Sequence, residues 1–227
     1  MKISEVFYSL QGEGSLIGVP SVFVRTSGCN LRCVWCDTPY TSWAPEGEDW
    51  SIGRILETVD PFHATHVVVT GGEPMLAPQI GELTNQLRRR GLHITIETAG
   101  TVNTPVDCDL MSISPKLKNS TPISRDGGRW AQQHDRLRWQ PNVMKELIAT
   151  YPYQLKFVIA DPQDLAEVDQ MREVLEAPRS QVLLMPEGST AETIRQRALW
   201  LAEVCKEHGY RFSPRLHVDL WGDKRGV

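Results

Sequence analysis

Cys29-Asn30-Leu31-Arg32-Cys33-Val34-Trp35-Cys36 holds three of the chain's five cysteines within eight residues. No fourth cysteine follows nearby; the next is Cys108. A structural zinc site is usually closed by four ligands, and an iron–sulfur cluster that only transfers electrons is usually held by four cysteines. Three thiolates on one short loop hold three irons of a cubane and leave the fourth open to a small-molecule ligand. The spacing also admits a zinc knuckle completed by a distant histidine or by Cys108. Upstream, the apolar run Val22-Phe23-Val24 reads as a buried strand ending at Arg25 and Thr26. The cysteines therefore follow the carboxyl end of a strand, which in α/β barrels is the catalytic end.

Strand and helix patterns alternate outward from this loop. Residues 2–8 read as a short strand or extended arm. Ser9-Leu10-Gln11-Gly12-Glu13-Gly14 is a glycine-bracketed turn that either approaches a ligand or is plain surface. Ser51 is placed to cap a helix over 52–59. A β-branched strand at 66–69 runs into Thr70-Gly71-Gly72-Glu73-Pro74, where a double glycine lets backbone amides face a ligand. An amphipathic helix is expected over 80–90, with Gly91 beyond its end. Strands follow at 93–97 and at 110–114, the latter ending in Ser114-Pro115-Lys116. Residues 117–140 are polar and read as a loop or flap. Beyond them come helices at 141–150, 162–176 and 191–208 and strands at 153–160, 182–185 and 211–220, then a short tail.

This alternation argues for a parallel sheet with crossover helices. A full eight-unit barrel usually needs about 250 residues. The 227 residues here predict one α/β domain over 1–227: an incomplete, laterally open (β/α) barrel with about six core parallel strands. The chain is 41% hydrophobic and 23% charged, with net charge −4. Such a composition buries a core and shows no basic stripe for nucleic acid. There is no signal-peptide pattern and no membrane-length apolar run, so a cytoplasmic protein is expected. Clustered, odd-numbered cysteines do not form a disulfide framework. The six histidines are scattered, with no ligand pair on one helix face, and read as structural.

The cysteine spacing resembles the signature of the radical S-adenosylmethionine enzymes, and Gly71-Gly72-Glu73-Pro74 resembles their cofactor-binding motif. Together with Leu10–Gly14, Arg25, Asp37-Thr38, Glu97-Thr98, Ser114-Pro115-Lys116 and Gln154-Leu155-Lys156-Phe157, they resemble the 7-carboxy-7-deazaguanine synthase family over residues 3 to about 160. Ala99 departs from the asparagine of many members. The resemblance implies a radical-initiated ring contraction of 6-carboxy-5,6,7,8-tetrahydropterin to 7-carboxy-7-deazaguanine with loss of ammonia, a carbon–nitrogen lyase reaction on the route to queuosine. It implies a [4Fe–4S] cluster on Cys29, Cys33 and Cys36, and magnesium on Thr38. S-adenosylmethionine would meet Trp35, Asp37, Gly72, Glu73, Ser114, Pro115, Lys116 and Gln154. Substrate would meet Leu10, Gln11, Gly12, Glu13, Arg25, Thr70 and Val227. An external electron donor such as flavodoxin and a homodimer are implied as partners. Two other readings stay open at this point: a glycyl-radical activating enzyme, and a non-catalytic zinc or iron–sulfur protein.

Overall fold

The computed structural model describes residues 1–227. Its strands are β1 Lys2–Leu10, β2 Pro20–Thr26, β3 Glu48–Asp49, β4 His66–Gly71, β5 His93–Thr98, β6 Leu110–Ile113, β7 Tyr153–Ile159, β8 Val182–Pro186 and β9 Arg211–Phe212. The helices are α1 Pro39–Ser42, α2 Ile52–Val59, α3 Ile80–Arg89, α4 Ala131–Arg138, α5 Pro141–Thr150, α6 Asp164–Leu175, α7 Ala191–His208 and α8 Leu216–Trp221. All nine strands join one sheet in the order β3-β1-β2-β4-β5-β6-β7-β8-β9. The strands from β2 through β9 in that order run parallel, and β1 is antiparallel to both of its neighbours. The two ends of the sheet, β3 and β9, do not pair. The fold is thus the open barrel expected, with six substantial parallel strands and a two-residue seventh. No helix is long and apolar enough to cross a membrane.

Side chains in a strand alternate between its faces, and here the two faces differ in chemistry. Val22, Val24, Val67, Val69, Ile94, Ile96, Met111, Ile113, Leu155 and Phe157 share one apolar core. Ile55, Leu83, Leu87, Met144, Leu147, Val168 and Leu201 from α2, α3, α5, α6 and α7 complete it. The alternate positions, Phe23, Arg25, Thr70, Glu97, Ser112, Lys156 and Val158, line a cavity on the other face. Helix ends follow local signals: the Ser51 hydroxyl accepts from Arg54 N at the start of α2, and Gly209, at φ 70°, closes α7.

Two expectations are corrected. Residues 117–140 are not an open flap. They form short helical turns at Lys118–Ser120 and Arg125–Gly128, then α4. The side chains that α4 buries are His134 and Arg138, so its inward face is polar and hydrophobic periodicity does not reveal it. The strand expected over 211–220 stops at Phe212 and turns into α8. Pro214 has no N–H to continue the ladder, and Leu216 N donates to Gly12 O at 2.9 Å instead.

The 117–140 segment braces the cysteine loop from below. Arg32 N donates to His134 Nδ1 at 3.0 Å, Val34 N to Ser120 O at 2.8 Å, and Arg125 Nη1 to Val34 O at 2.9 Å. His134 Nε2 lies 2.9 Å from Ser120 Oγ, which donates to Leu117 O. Those contacts require the neutral Nε2–H tautomer. Burial, followed by Arg138 and Lys116, lowers the His134 pKa from 6.5 to about 4. The unfolded chain therefore takes up a proton that the folded chain refuses, and stability falls as pH drops from about 6.5 to about 4. The slope from this one group is at most about 1.4 kcal/mol per pH unit. Urea unfolding of the metal-free chain at pH 7, 6 and 5 should show this slope, and His134→Leu should flatten it while lowering stability at pH 7. Equal slopes in the two proteins would contradict a buried neutral histidine.

Candidate active site

The carboxyl ends of the parallel strands surround a cavity of about 250 Å³. Strand register builds its floor. Arg25 pairs with Thr70, Glu97 with Ser112, and Ser112 with Gln154. Thr70 Oγ1 donates to Glu97 Oε2 at 2.9 Å, and Gln154 Nε2 donates to Ser112 Oγ at 2.9 Å. A polar row therefore crosses five neighbouring strands on the face that turns away from the apolar core.

A chain of buried charge lies over this row. Lys156 Nζ is 2.9 Å from Glu13 Oε2 and 3.2 Å from Glu97 Oε1. Gln11 Nε2 donates to Glu97 Oε1 at 3.3 Å. Arg215 Nε is 3.3 Å from Glu13 Oε1, and Arg215 Nη2 is 2.7 Å from Asp37 Oδ2. Burial alone would push the Lys156 pKa down, but Glu97 and Glu13 raise it above its ordinary value. Burial would likewise raise Glu13, and Lys156, Arg215 and His217 override it, holding the carboxyl well below the usual range. Both groups stay charged through neutral pH, so Lys156 is a fixed cation and not a proton acceptor. Among the lining side chains, four are basic (Arg25, Lys116, Lys156, Arg215) and three acidic (Glu13, Asp37, Glu97). In a chain of net charge −4, that local balance suits an anionic ligand. Arg25 Nε is bound by Glu5 at 2.6 Å, while its Nη atoms make no hydrogen bond within the chain.

Cys29, Cys33 and Cys36 line one wall of the same cavity. Leu31 N donates to Cys29 Sγ at 3.3 Å, and Cys36 Sγ lies 3.2 Å from Ser42 Oγ. Burial pushes both the Cys29 and Cys33 thiols up to about 12, so ligation there must release protons. Cys108 sits near the amino ends of β5 and β6, against Ile94 O, and Cys205 packs into the core from the inner face of α7. Neither can complete a ligand set with the loop. No three His, Cys, Asp or Glu side chains gather closely enough for a single metal ion, and both ring nitrogens of His134 are engaged. Three thiols on one short loop are a donor set that suits an iron–sulfur cluster held at three points.

The loop after β4 is shaped by close approach. A Cβ on Gly72 would lie 2.2 Å from Gly28 O, so only glycine lets this turn pass behind the cysteine loop. The Glu73 carboxylate turns inward: Oε1 accepts from Met75 N at 3.1 Å and Thr98 Oγ1 at 2.8 Å, and Oε2 accepts from Ala99 N at 2.8 Å. It staples the β4 and β5 exits together and is absent from the cavity wall.

Of the residues singled out in the sequence, Leu10, Gln11, Gly12, Glu13, Arg25, the three cysteines, Trp35, Asp37, Thr38, Thr70, Gly72, Ser114, Lys116 and Val227 all line the cavity. Glu73, Pro115 and Gln154 do not. The Gln154 side-chain oxygen Oε1 accepts from Ser15 N and Ser15 Oγ at 2.9 and 2.7 Å, which anchors the 11–19 loop to the sheet. Sequence reasoning missed Arg215 and His217, both on the wall. They lie in the stretch 211–220 expected to be a strand, where Leu216, Val218 and Leu220 alternate with polar residues. Lys156 and Glu97 entered through the resemblance without an assigned role, and both line the cavity.

Residues 23–116 match the model of the Radical SAM superfamily. A 7-carboxy-7-deazaguanine synthase of Rhodopirellula baltica is 46% identical over 226 residues, covering 99% of this chain and 88% of that protein. A protein of the same name from Halobacterium salinarum is 45% identical, covering 98% of this chain and 91% of the other. In three dimensions the crystal structure of QueE from Escherichia coli aligns with TM-score 0.67 and 25% identity, over 95% of this chain and 94% of that one. Cysteine loop, glycine turn, strand-end cavity and full-length similarity agree, and the chain belongs to the 7-carboxy-7-deazaguanine synthase family of radical S-adenosylmethionine enzymes.

Proposed function

We propose that the chain converts 6-carboxy-5,6,7,8-tetrahydropterin to 7-carboxy-7-deazaguanine, expelling one ring nitrogen as ammonia. The observation that carries this reading is a single cavity shared by three thiols and a polar strand-end surface that carries Arg25, Lys116, Lys156 and Arg215. Basic side chains and hydrogen-bonding groups at the strand ends suit a small anionic molecule rather than the protein backbone that a glycyl-radical activating enzyme must admit.

The family implies a [4Fe–4S] cluster and S-adenosylmethionine, and the thiols of Cys29, Cys33 and Cys36 fit the cluster at three of its irons. When bound, this pair supplies the radical chemistry that removes a hydrogen atom from carbon. Gly72, Ser114 and Lys116 offer backbone, hydroxyl and ammonium contacts to the cofactor, with Trp35 and Asp37 beside them. Lys116 Nζ already sits 2.7 Å from Ser114 Oγ and 5.6 Å from the Trp35 ring centre. Glu73, Pro115 and Gln154 serve this site through the backbone they hold in place. Thr38 offers a hydroxyl to magnesium, which prefers oxygen donors and retains several waters.

On the substrate side, the unbonded Arg25 Nη atoms pair with the pterin carboxylate. Gln11, Thr70 and the backbone at Leu10 and Gly12 match the donors and acceptors of the aminopyrimidinone edge. Glu13, held anionic, faces the ring amines, and Val227 closes that side of the cavity. Lys156 helps keep Glu13 charged and holds Glu13 and Glu97 in place.

Anaerobic turnover tests the reading. The reconstituted enzyme with S-adenosylmethionine, magnesium, a reductant such as flavodoxin and the tetrahydropterin should yield 7-carboxy-7-deazaguanine by mass. Cys33→Ala should abolish both cofactor cleavage and product; cofactor cleavage by the intact enzyme with no deazapurine formed would sink the substrate assignment. Lys156→Met removes the buried cation between two partly buried carboxylates, and breaking such a contact costs up to about 3–5 kcal/mol of stability. Urea unfolding of the metal-free variant should show a stability loss of about that size; a loss below about 0.5 kcal/mol would show that the cation is dispensable to the frame.

A further inference from the structure

Arg215 joins parts of the molecule that share no strand pairing. It caps the start of α8, and its side chain is 5% exposed. Nη2 and Nη1 form a fork on the Asp37 carboxylate at 2.7 and 3.5 Å. Nε reaches Glu13 at 3.3 Å, and Nη1 also donates to Gly188 O in the loop after β8. Asp37 is the residue between Cys36 and Thr38, and Glu13 belongs to the loop between β1 and β2. One guanidinium therefore spans from the exit of the cysteine loop to the loop proposed to hold the pterin. Neighbouring contacts point the same way: Leu216 N donates to Gly12 O at 2.9 Å, and Gly14 N donates to Ser213 Oγ at 2.9 Å.

The remaining bonds of Asp37 explain why this contact matters. Its side chain is 46% exposed, and Arg215 is its sole ion-pair partner. Without that fork the carboxylate is free to rotate toward the cavity, and the adjacent Thr38 loses its fixed neighbour. Thr38 is otherwise held by Thr41, whose N and Oγ1 donate to Thr38 O at 2.8 and 2.9 Å and whose Oγ1 lies 3.1 Å from Thr38 Oγ1. Lysine cannot substitute fully, because an ammonium is a point charge and lacks the planar fork.

We infer that Arg215 is a positioning residue: it locks Asp37-Thr38 and Glu13 into one arrangement, so that the cysteine loop and the substrate loop keep a fixed spacing. This deepens the proposed function and rests on it for the identity of the substrate. Partners of this supporting kind around metal sites typically matter by 10–100-fold.

The test compares Arg215→Gln, Arg215→Lys and Asp37→Asn with wild type. Hydrogen exchange on the metal-free chain, which needs neither cluster nor substrate, should show amides of residues 38–42 and 12–15 exchanging at least about 10-fold faster in Arg215→Gln, by the same reasoning. Amides of β5 should stay as protected as in wild type. In the reconstituted enzyme, kcat should fall about 10–100-fold in Arg215→Gln and recover only partly in Arg215→Lys. Asp37→Asn should reproduce the 38–42 signature, and Arg215→Gln combined with Asp37→Asn should be no worse than Arg215→Gln alone, because coupled residues are not additive. Unchanged exchange at 38–42 with kcat within twofold of wild type overturns the inference. So does additivity of the two substitutions. If Arg215→Gln also loosens β5, Asp37→Asn decides: normal exchange at 38–42 in that variant overturns the inference. A wild-type enzyme that makes no deazapurine would refute the substrate assignment and leave the exchange result standing.

Discussion

The strict alternation of side chains along a parallel strand is the constraint on which this structure depends. In β2, β4, β5, β6 and β7, apolar residues occupy one parity, and the other parity carries the polar side chains that face the cavity. In β7, Leu155, Phe157 and Ile159 enter the apolar core, while Gln154 and Lys156 face the opposite way. In β5, Ile94 and Ile96 face the helices and Glu97 faces the cavity. A slip of one residue in any strand would exchange these sets, putting charge into the core and aliphatic side chains into the site. Fold stability and site chemistry therefore specify the same register.

Burying charge on the cavity face is costly unless each group is paired. The chain resolves this with a connected set in which every carboxylate meets a cation or a hydroxyl: Asp37 with Arg215, Glu13 with Arg215 and Lys156, Glu97 with Lys156, Gln11 and Thr70. The set doubles as a frame for the loops. Glu73 plays the matching part at the β4 and β5 exits, where its buried carboxyl, raised by burial, is satisfied by two backbone amides and a hydroxyl. It resembles a binding residue in sequence because it sits beside the double glycine. Its carboxylate ties the turn to Thr98 and Ala99, and its backbone N–H donates to Gly28 O at 2.9 Å.

The cysteine loop needs support from elsewhere because it has almost no regular structure of its own. Support comes from the segment 117–140 below and from Arg215 on the far side of the cavity. Both supports use polar contacts to backbone or to one carboxylate, so the thiols remain clear to face the cavity.

Local patterns made much of the protein legible before any coordinates. The C-x3-C-x2-C spacing, the Gly71-Gly72 turn after a β-branched strand, the capped helix at Ile52–Val59 and the glycine-closed helix at Ala191–His208 are all encoded by residues near one another in the chain. They determined the open-barrel class, and they put the cysteines and most of the cavity-lining residues at strand ends. Tertiary structure alone decided the rest. The polar helix α4 is invisible to hydrophobic periodicity, since what it buries is a histidine and an arginine whose partners lie on other segments. The turn from β9 into α8 depends on Gly12 and Asp37, and the Arg215 pairs join residues 178 and 202 positions apart. An ion pair across such a separation leaves no spacing or period in the sequence. It exists because folding carries two distant loops to the same cavity, where each buried charge requires its counterpart.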